Sequence, residues 1–123
     1  MIKQNAILEI NKKNLIYNFN ILSKKARKSI TGATIKADAY GLGVIPIFKI
    51  LYNNKCRHFF FATLEEALYL RKKNLKGNFY VLNGLENNKF SIFNKYKIIP
   101  ILNSKEELQE LKNSNLINRC KIG

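Results

Sequence analysis

The chain has 123 residues, enough for one domain with a sizeable core, and its 46% hydrophobic content is too high for a disordered chain. No apolar stretch reaches the roughly 20 residues of a bilayer span, and the segment from Met1 to Glu9, broken by Lys3, Gln4 and Asn5, lacks the apolar core of a secretory signal, so no membrane partner and a cytoplasmic location are expected. The net charge of +14 is spread from Lys3 to Lys121 with no aromatic–basic ladder, and the abundance of Asn and Ile beside Lys reads as compositional bias rather than a specific nucleic-acid surface.

Ala6 to Ile10 reads as a first short strand. Asn11 is a good N-cap, and Leu15, Phe19 and Leu22 recur at helical spacing, predicting a helix that runs to about Lys28. Ser29 to Gly32 breaks it, and Ala33 to Lys36 reads as a second strand. Val44 to Leu51 predicts a helix with Pro46 in its first turn, where the missing N–H costs nothing. Phe59 to Ala62 is a continuous apolar run, as expected of a strand buried on both faces of a parallel sheet.

Thr63 and Glu66 form a capping box that starts the next helix, and Gly77 closes the connection after it. Phe79 to Leu82 predicts a strand, Asn88 to Lys95 a shorter helix, and Ile98 to Leu102 another strand. Pro100 fits there only near a bulge or a strand end, because proline donates nothing to a ladder. Ser104 and Glu107 form a second capping box, opening a helix that ends near Asn113, and Cys120 to Gly123 reads as the start of a further strand.

Strands alternating with helices of this size predict βαβ units and a parallel sheet. A complete eight-stranded (β/α)8 TIM-type barrel takes about 250 residues. The chain therefore reads as an α/β protein forming the first half of such a barrel, an amino-terminal fragment over residues 1–123, with an independent smaller α/β layer as the other reading.

The stretch from Thr34 to Gly43, TIKADAYGLG, carries the chemistry. Lys36 falls where the apolar run of a strand ends, the position of catalytic groups in a barrel. An amine held against apolar walls is disfavoured as ammonium and becomes a usable nucleophile for Schiff-base formation. Tyr40 stands at a loop-to-helix corner, and Gly41 and Gly43 allow a tight turn. Asp38 suits orienting the loop or pairing with a lysine rather than a chemical role. His58 has no Ser, Cys or acidic partner at a telling spacing and reads as structural or exposed. Cys56 and Cys120 match neither a C-x-x-C pair nor a zinc-ligand spacing and read as free thiols, so no metal is expected.

Lys36, Ala37, Asp38, Ala39, Tyr40, Gly41 and Gly43 match seven of eight positions of the pattern K-A-[N/D]-A-Y-G-H-G, so the segment resembles the pyridoxal phosphate attachment site of alanine racemases. Leu42 departs from it, standing where that family has a histidine that is not the proton-transfer residue. FFFATLEEALYLRKKNL, from Phe59 to Leu75, resembles the second strand and helix of that family's barrel, and FYVLNG, from Phe79 to Gly84, its third strand and loop.

The resemblance implies that Lys36 holds pyridoxal 5'-phosphate and serves as the base on one face of the substrate Cα, that the Tyr40 hydroxyl bonds the cofactor phosphate, and that Leu82 packs near the cofactor ring. It implies interconversion of L- and D-alanine for peptidoglycan synthesis by a homodimer. It also implies that the opposite base, a tyrosine of a carboxyl-terminal β domain, and the arginines of the site lie beyond Gly123, so that residues 1–123 alone should be inactive or nearly so. Serine or another amino acid in place of alanine stays open, as do two other readings: a pyridoxal phosphate carrier barrel, and a non-catalytic basic binding module or gene remnant.

Overall fold

The computed structural model describes residues 6–86 and 89–114. Helix α1 (Lys12–Lys25) starts as its cap predicts, with Asn11 Oδ1 accepting the Asn14 N–H at 3.0 Å. It ends three residues before the expected Lys28, and Arg27 then adopts a left-handed φ of 47°. Leu15 and Phe19 rest half-buried on the core. The predicted strand from Ala6 to Ile10 is not formed: the segment pairs with no strand of the described residues, and Ile7 and Leu8 face solvent. A strand needs a neighbour's N–H and C=O groups, and sequence pattern alone does not supply one.

Strand β1 is only Ala33–Thr34, shorter than the predicted Ala33 to Lys36. Ile35 still donates its N–H to Phe60 O at 2.9 Å, but Lys36 already begins α2 (Lys36–Tyr40), a single turn wound left-handed. Helix α3 (Val44–Asn53) buries Val44, Ile47, Phe48 and Leu51 on one face. Strand β2 (His58–Phe61) leads into α4 (Leu64–Lys72), where the Thr63 hydroxyl accepts the Glu66 N–H. Strand β3 (Asn78–Val81), helix α5 (Phe90–Tyr96), strand β4 (Ile98–Pro100) and helix α6 (Lys105–Asn113) complete the described order. The strand expected from Cys120 to Gly123 and the start of the helix expected at Asn88 lie outside the described residues.

The four strands are parallel and lie in the order β1-β2-β3-β4. Consecutive strands are neighbours throughout, with no reversal, which is the winding of a (β/α) barrel rather than of a doubly wound sheet. Pro100 is the last residue of β4, and its neighbour Ile101 donates to Val81 O at 2.9 Å. N–H directions alternate along a strand, so the donor that proline lacks would point away from β3, where it breaks no bond of this sheet.

One face of the sheet carries the core. Phe59, Phe61, Phe79 and Val81 have no exposure and lie with Phe48, Leu51, Leu64, Ala67 and Leu70 in one cluster. The Phe48 and Phe59 ring centres are 4.4 Å apart. Each such ring contributes about 1.5–3 kcal/mol of burial. The β2 run was expected to be buried on both faces. Instead Phe60 is half-buried on the opposite face, stacked on Tyr80 at 4.7 Å, and only alternate residues reach the helices. Cys56 is a buried free thiol, and burial pushes its pKa up.

At the amino end of the strands, Arg71 lies with its guanidinium 3.9 Å over the Phe79 ring. It donates to the carbonyls of Leu75, Gly77, Tyr96 and Lys97, tying the end of α4 to the turn between α5 and β4. Burial lowers its pKa, but a guanidinium stays charged even so.

Candidate active site

The carboxyl end of β1 carries a backbone conformation that ordinary residues avoid. Ala37, Asp38, Ala39 and Tyr40 have φ of 50°, 52°, 54° and 57°. A left-handed conformation costs a non-glycine residue roughly 1–2 kcal/mol, so four in succession need outside support. The residue types limit that cost: Asp tolerates the region, two alanines minimise crowding, and Gly41 and Gly43, at φ of 81° and 87°, take the positions after them freely. The small residues of the A-x-A-Y-G-x-G run are thus those from which this turn can be built.

Three fixings hold the turn. Within it, Ala39 donates to Ile35 O at 3.1 Å and Gly41 to Ala37 O at 3.0 Å. Behind it, Asp38 Oδ1 accepts the Val44 N–H at 2.7 Å, and Asp38 O accepts the Gly43 N–H at 2.9 Å. Gly43, the N-cap of α3, has no side chain to offer, and the Asp38 carboxylate caps the helix from six residues upstream. Beside it, Glu66 Oε1 accepts the Ala37 N–H at 2.8 Å. Ala39, buried, anchors the turn to the core. The expectation that Asp38 orients the loop is met by its backbone contacts.

Lys36 stands at the start of this turn and is half-buried. Tyr40 closes the turn and is 63% exposed, so its ring is not part of the core. An ideal Cβ at the neighbouring Gly41 would meet nothing within 4 Å, so the ground beside Tyr40 is open. Leu82 follows β3 at the same end of the sheet, half-buried, with its N–H on Phe61 O at 2.9 Å and its carbonyl accepting from the Asn103 side chain at 2.7 Å. The fold thus brings Lys36, Tyr40 and Leu82 to the carboxyl end of the strands. Leu82 is two strands from Lys36, a spacing of about 10 Å across a sheet.

His58 lies at the other end of β2, half-buried, with Nδ1 2.9 Å from the Tyr80 hydroxyl and the two rings stacked. A cavity of about 800 Å³ also opens at that end, between Arg71, Asn78, Tyr96 and Lys97. It is far along the strands from Lys36, and its carbonyls are already occupied by Arg71, so cavity size does not mark the chemistry here. A smaller cavity of about 280 Å³ lies under the left-handed turn, lined by Asp38, Glu66 and Tyr69 among others. Among the described residues no cluster of His, Cys, Asp and Glu could hold a metal ion, and no helix is long and apolar enough to cross a membrane.

The sequence reading missed the second half of Glu66. It identified the residue as the partner of Thr63 in a capping box, and the Thr63 hydroxyl does accept the Glu66 N–H, but one carboxylate oxygen takes the Ala62 N–H just ahead of the cap. The other reaches Ala37, 29 residues earlier. A capping-box glutamate directly after a barrel strand was the available signal.

Comparison with known proteins gives a consistent result. Alanine racemase of Rickettsia rickettsii (strain Sheila Smith) is 39% identical over 114 residues, which is 91% of this chain and 32% of that protein. The chain thus spans about a third of the length of the curated relatives it matches. The crystal structure of alanine racemase from Bartonella henselae with covalently bound pyridoxal phosphate superposes with a TM-score of 0.81 at 32% identity, covering 91% of this chain and 32% of that one. A histidine racemase from Leuconostoc mesenteroides superposes at 0.80 with 18% identity over 99% of this chain and 33% of that one, a likeness of fold alone. Residues 10–122 match the family described as alanine racemase, N-terminal domain, and the chain belongs to that family.

Proposed function

We propose that this chain is the amino-terminal barrel part of a pyridoxal phosphate-dependent alanine racemase, over residues 1–123, acting in the cytoplasm as part of a homodimer and supplying D-alanine for peptidoglycan. The observation that carries the reading is Lys36 itself: a primary amine at the carboxyl end of a parallel strand, set by a left-handed turn that the A-x-A-Y-G-x-G run builds.

The donors present fit one end of the cofactor. Lys36 supplies the amine for its carbonyl carbon, and Tyr40 supplies an exposed hydroxyl on open ground four residues later. When bound, pyridoxal phosphate supplies an electron sink that makes the Cα proton of an amino acid removable. The work of this chain is then positional and acid–base. Lys36 holds the cofactor and takes or returns a proton at Nζ on one face of Cα. Tyr40 would hold the phosphate through its hydroxyl, and Leu82 would offer an apolar side chain to the ring. Loss of the histidine that the family pattern has at Leu42 removes no group from these roles.

The test is lysine-specific. The 123-residue chain is incubated with pyridoxal phosphate, reduced with borohydride and mapped by peptide mass spectrometry. Label concentrated on Lys36 and lost in Lys36→Ala supports the reading, whereas label spread evenly over the many lysines refutes it. Racemisation of alanine by the complete chain then separates a racemase from a cofactor carrier on the same fold.

A further inference from the structure

Three glutamates link the loops at the carboxyl end of the sheet. Glu66, on α4, accepts the Ala62 N–H with Oε2 at 2.8 Å and the Ala37 N–H with Oε1 at 2.8 Å, joining the segment after β2 to the segment after β1. Glu107, on α6, repeats the arrangement one pair of strands along. It accepts the Asn103 N–H at 2.6 Å and the Leu85 N–H at 3.1 Å, joining the segment after β4 to that after β3. Glu86 accepts the Leu64 N–H at 3.0 Å, joining the segment after β3 to the start of α4. In both Glu66 and Glu107, one carboxylate oxygen takes the N–H of the residue just before the helix cap, and the other binds the loop of the preceding strand.

We propose that Glu66 is a positioning residue for Lys36, acting through the Ala37 N–H. The inference rests on the reading of Lys36 given above. Ala37 shares a peptide bond with Lys36, so whatever fixes the Ala37 N–H fixes the direction in which the lysine leaves β1. The bonds inside the turn begin at Ala39, and none of them takes the Ala37 N–H. Its partner is the Glu66 carboxylate, a charge-assisted acceptor. Without it, the first N–H of a strained four-residue turn, on an exposed residue, would pass to water, and the turn would lose a bond that ties it to α4 and relax toward ordinary backbone angles. Lys36 would keep its amine but lose its aim.

Amide exchange by NMR and the labelling assay, run on the full 123-residue chain, test this together. In Glu66→Ala the Ala37 N–H should exchange about tenfold faster or more. The Ile35 N–H, held by Phe60 O, should stay protected. The share of label on Lys36 should fall about tenfold, the loss expected for one charge-assisted bond. Glu66→Gln, which keeps one carbonyl oxygen, should recover part of both effects, and it carries the comparison by itself if Glu66→Ala does not fold. Glu107→Ala should leave Ala37 and Lys36 at wild-type values, as a general loosening of the loops would not. An Ala37 N–H that exchanges equally fast in wild type and Glu66→Ala overturns the proposal, as does undiminished labelling of Lys36. Absence of label on wild-type Lys36 overturns the cofactor reading instead, while the Ala37 exchange rate still decides whether Glu66 holds the turn.

Discussion

Replacing Asp38 tests whether the turn and the helix behind it are one unit. Asp38→Ala removes the acceptor for the Val44 N–H, whose residue is 8% exposed and so poorly reached by water. Loss of an N-cap acceptor costs about 1 kcal/mol. Loss of a negative charge at a helix N-terminus adds about 0.3–1 kcal/mol. The left-handed φ of 52° is also better tolerated by Asp than by Ala, adding a few tenths more. The sum is about 2 kcal/mol, or a fall in Tm of about 8 °C for a chain of this size. Asp38→Asn keeps the acceptor and the tolerance and loses only the charge, so its loss should be about 0.5 kcal/mol. Urea unfolding followed by far-UV circular dichroism and tyrosine fluorescence measures both. Equal losses for the two variants, or a loss below about 0.5 kcal/mol for Asp38→Ala, would refute the assignment of Asp38 as the cap of α3.

Other outcomes follow from the same geometry. Arg71→Lys keeps the charge but cannot reach four carbonyls from one point, so it should lose about 2 kcal/mol in urea unfolding; an unchanged midpoint would show that the guanidinium fork is dispensable. Gly84 has φ of 77°, and a Cβ there would run into the Glu107 carboxylate. Gly84→Ala should therefore cost about 2–3 kcal/mol and free the Leu85 N–H to exchange, and a thermal melt matching wild type would sink that account. Burial raises the Cys56 pKa in the folded chain, so the unfolded thiol gives up its proton first, at about pH 8.5. The stability from keeping this thiol neutral is full below that pH and is lost as pH rises toward the folded value. Stability measured from pH 7 to 10 should then fall less steeply in Cys56→Ala, and parallel curves would show that the thiol does not contribute.

Much of this fold is legible from local chemistry. Asn11, Thr63 and Ser104 each cap the helix that they were expected to cap, because an N-cap acts on backbone only two or three residues away. The parallel arrangement follows from strands alternating with helices, and Lys36 is identifiable because a run of small residues and glycines follows it. Strand limits were less legible. Ala6 to Ile10 has a strand's composition and no partner strand among the described residues, while Ile35 pairs and Lys36 turns away, differences decided by neighbours distant in sequence.

The amino-acid sequence by itself determined the caps at Asn11, Thr63 and Ser104, the alternation of strands with helices, the lysine and the family, since each depends on residues close together along the chain. Tertiary structure alone decided that residues 37–40 wind left-handed and that Glu66 and Asp38 secure them. That turn is unfavourable in isolation, and a conformation that local propensity opposes persists only where contacts from other elements, here α3 and α4, make it the lower-energy choice.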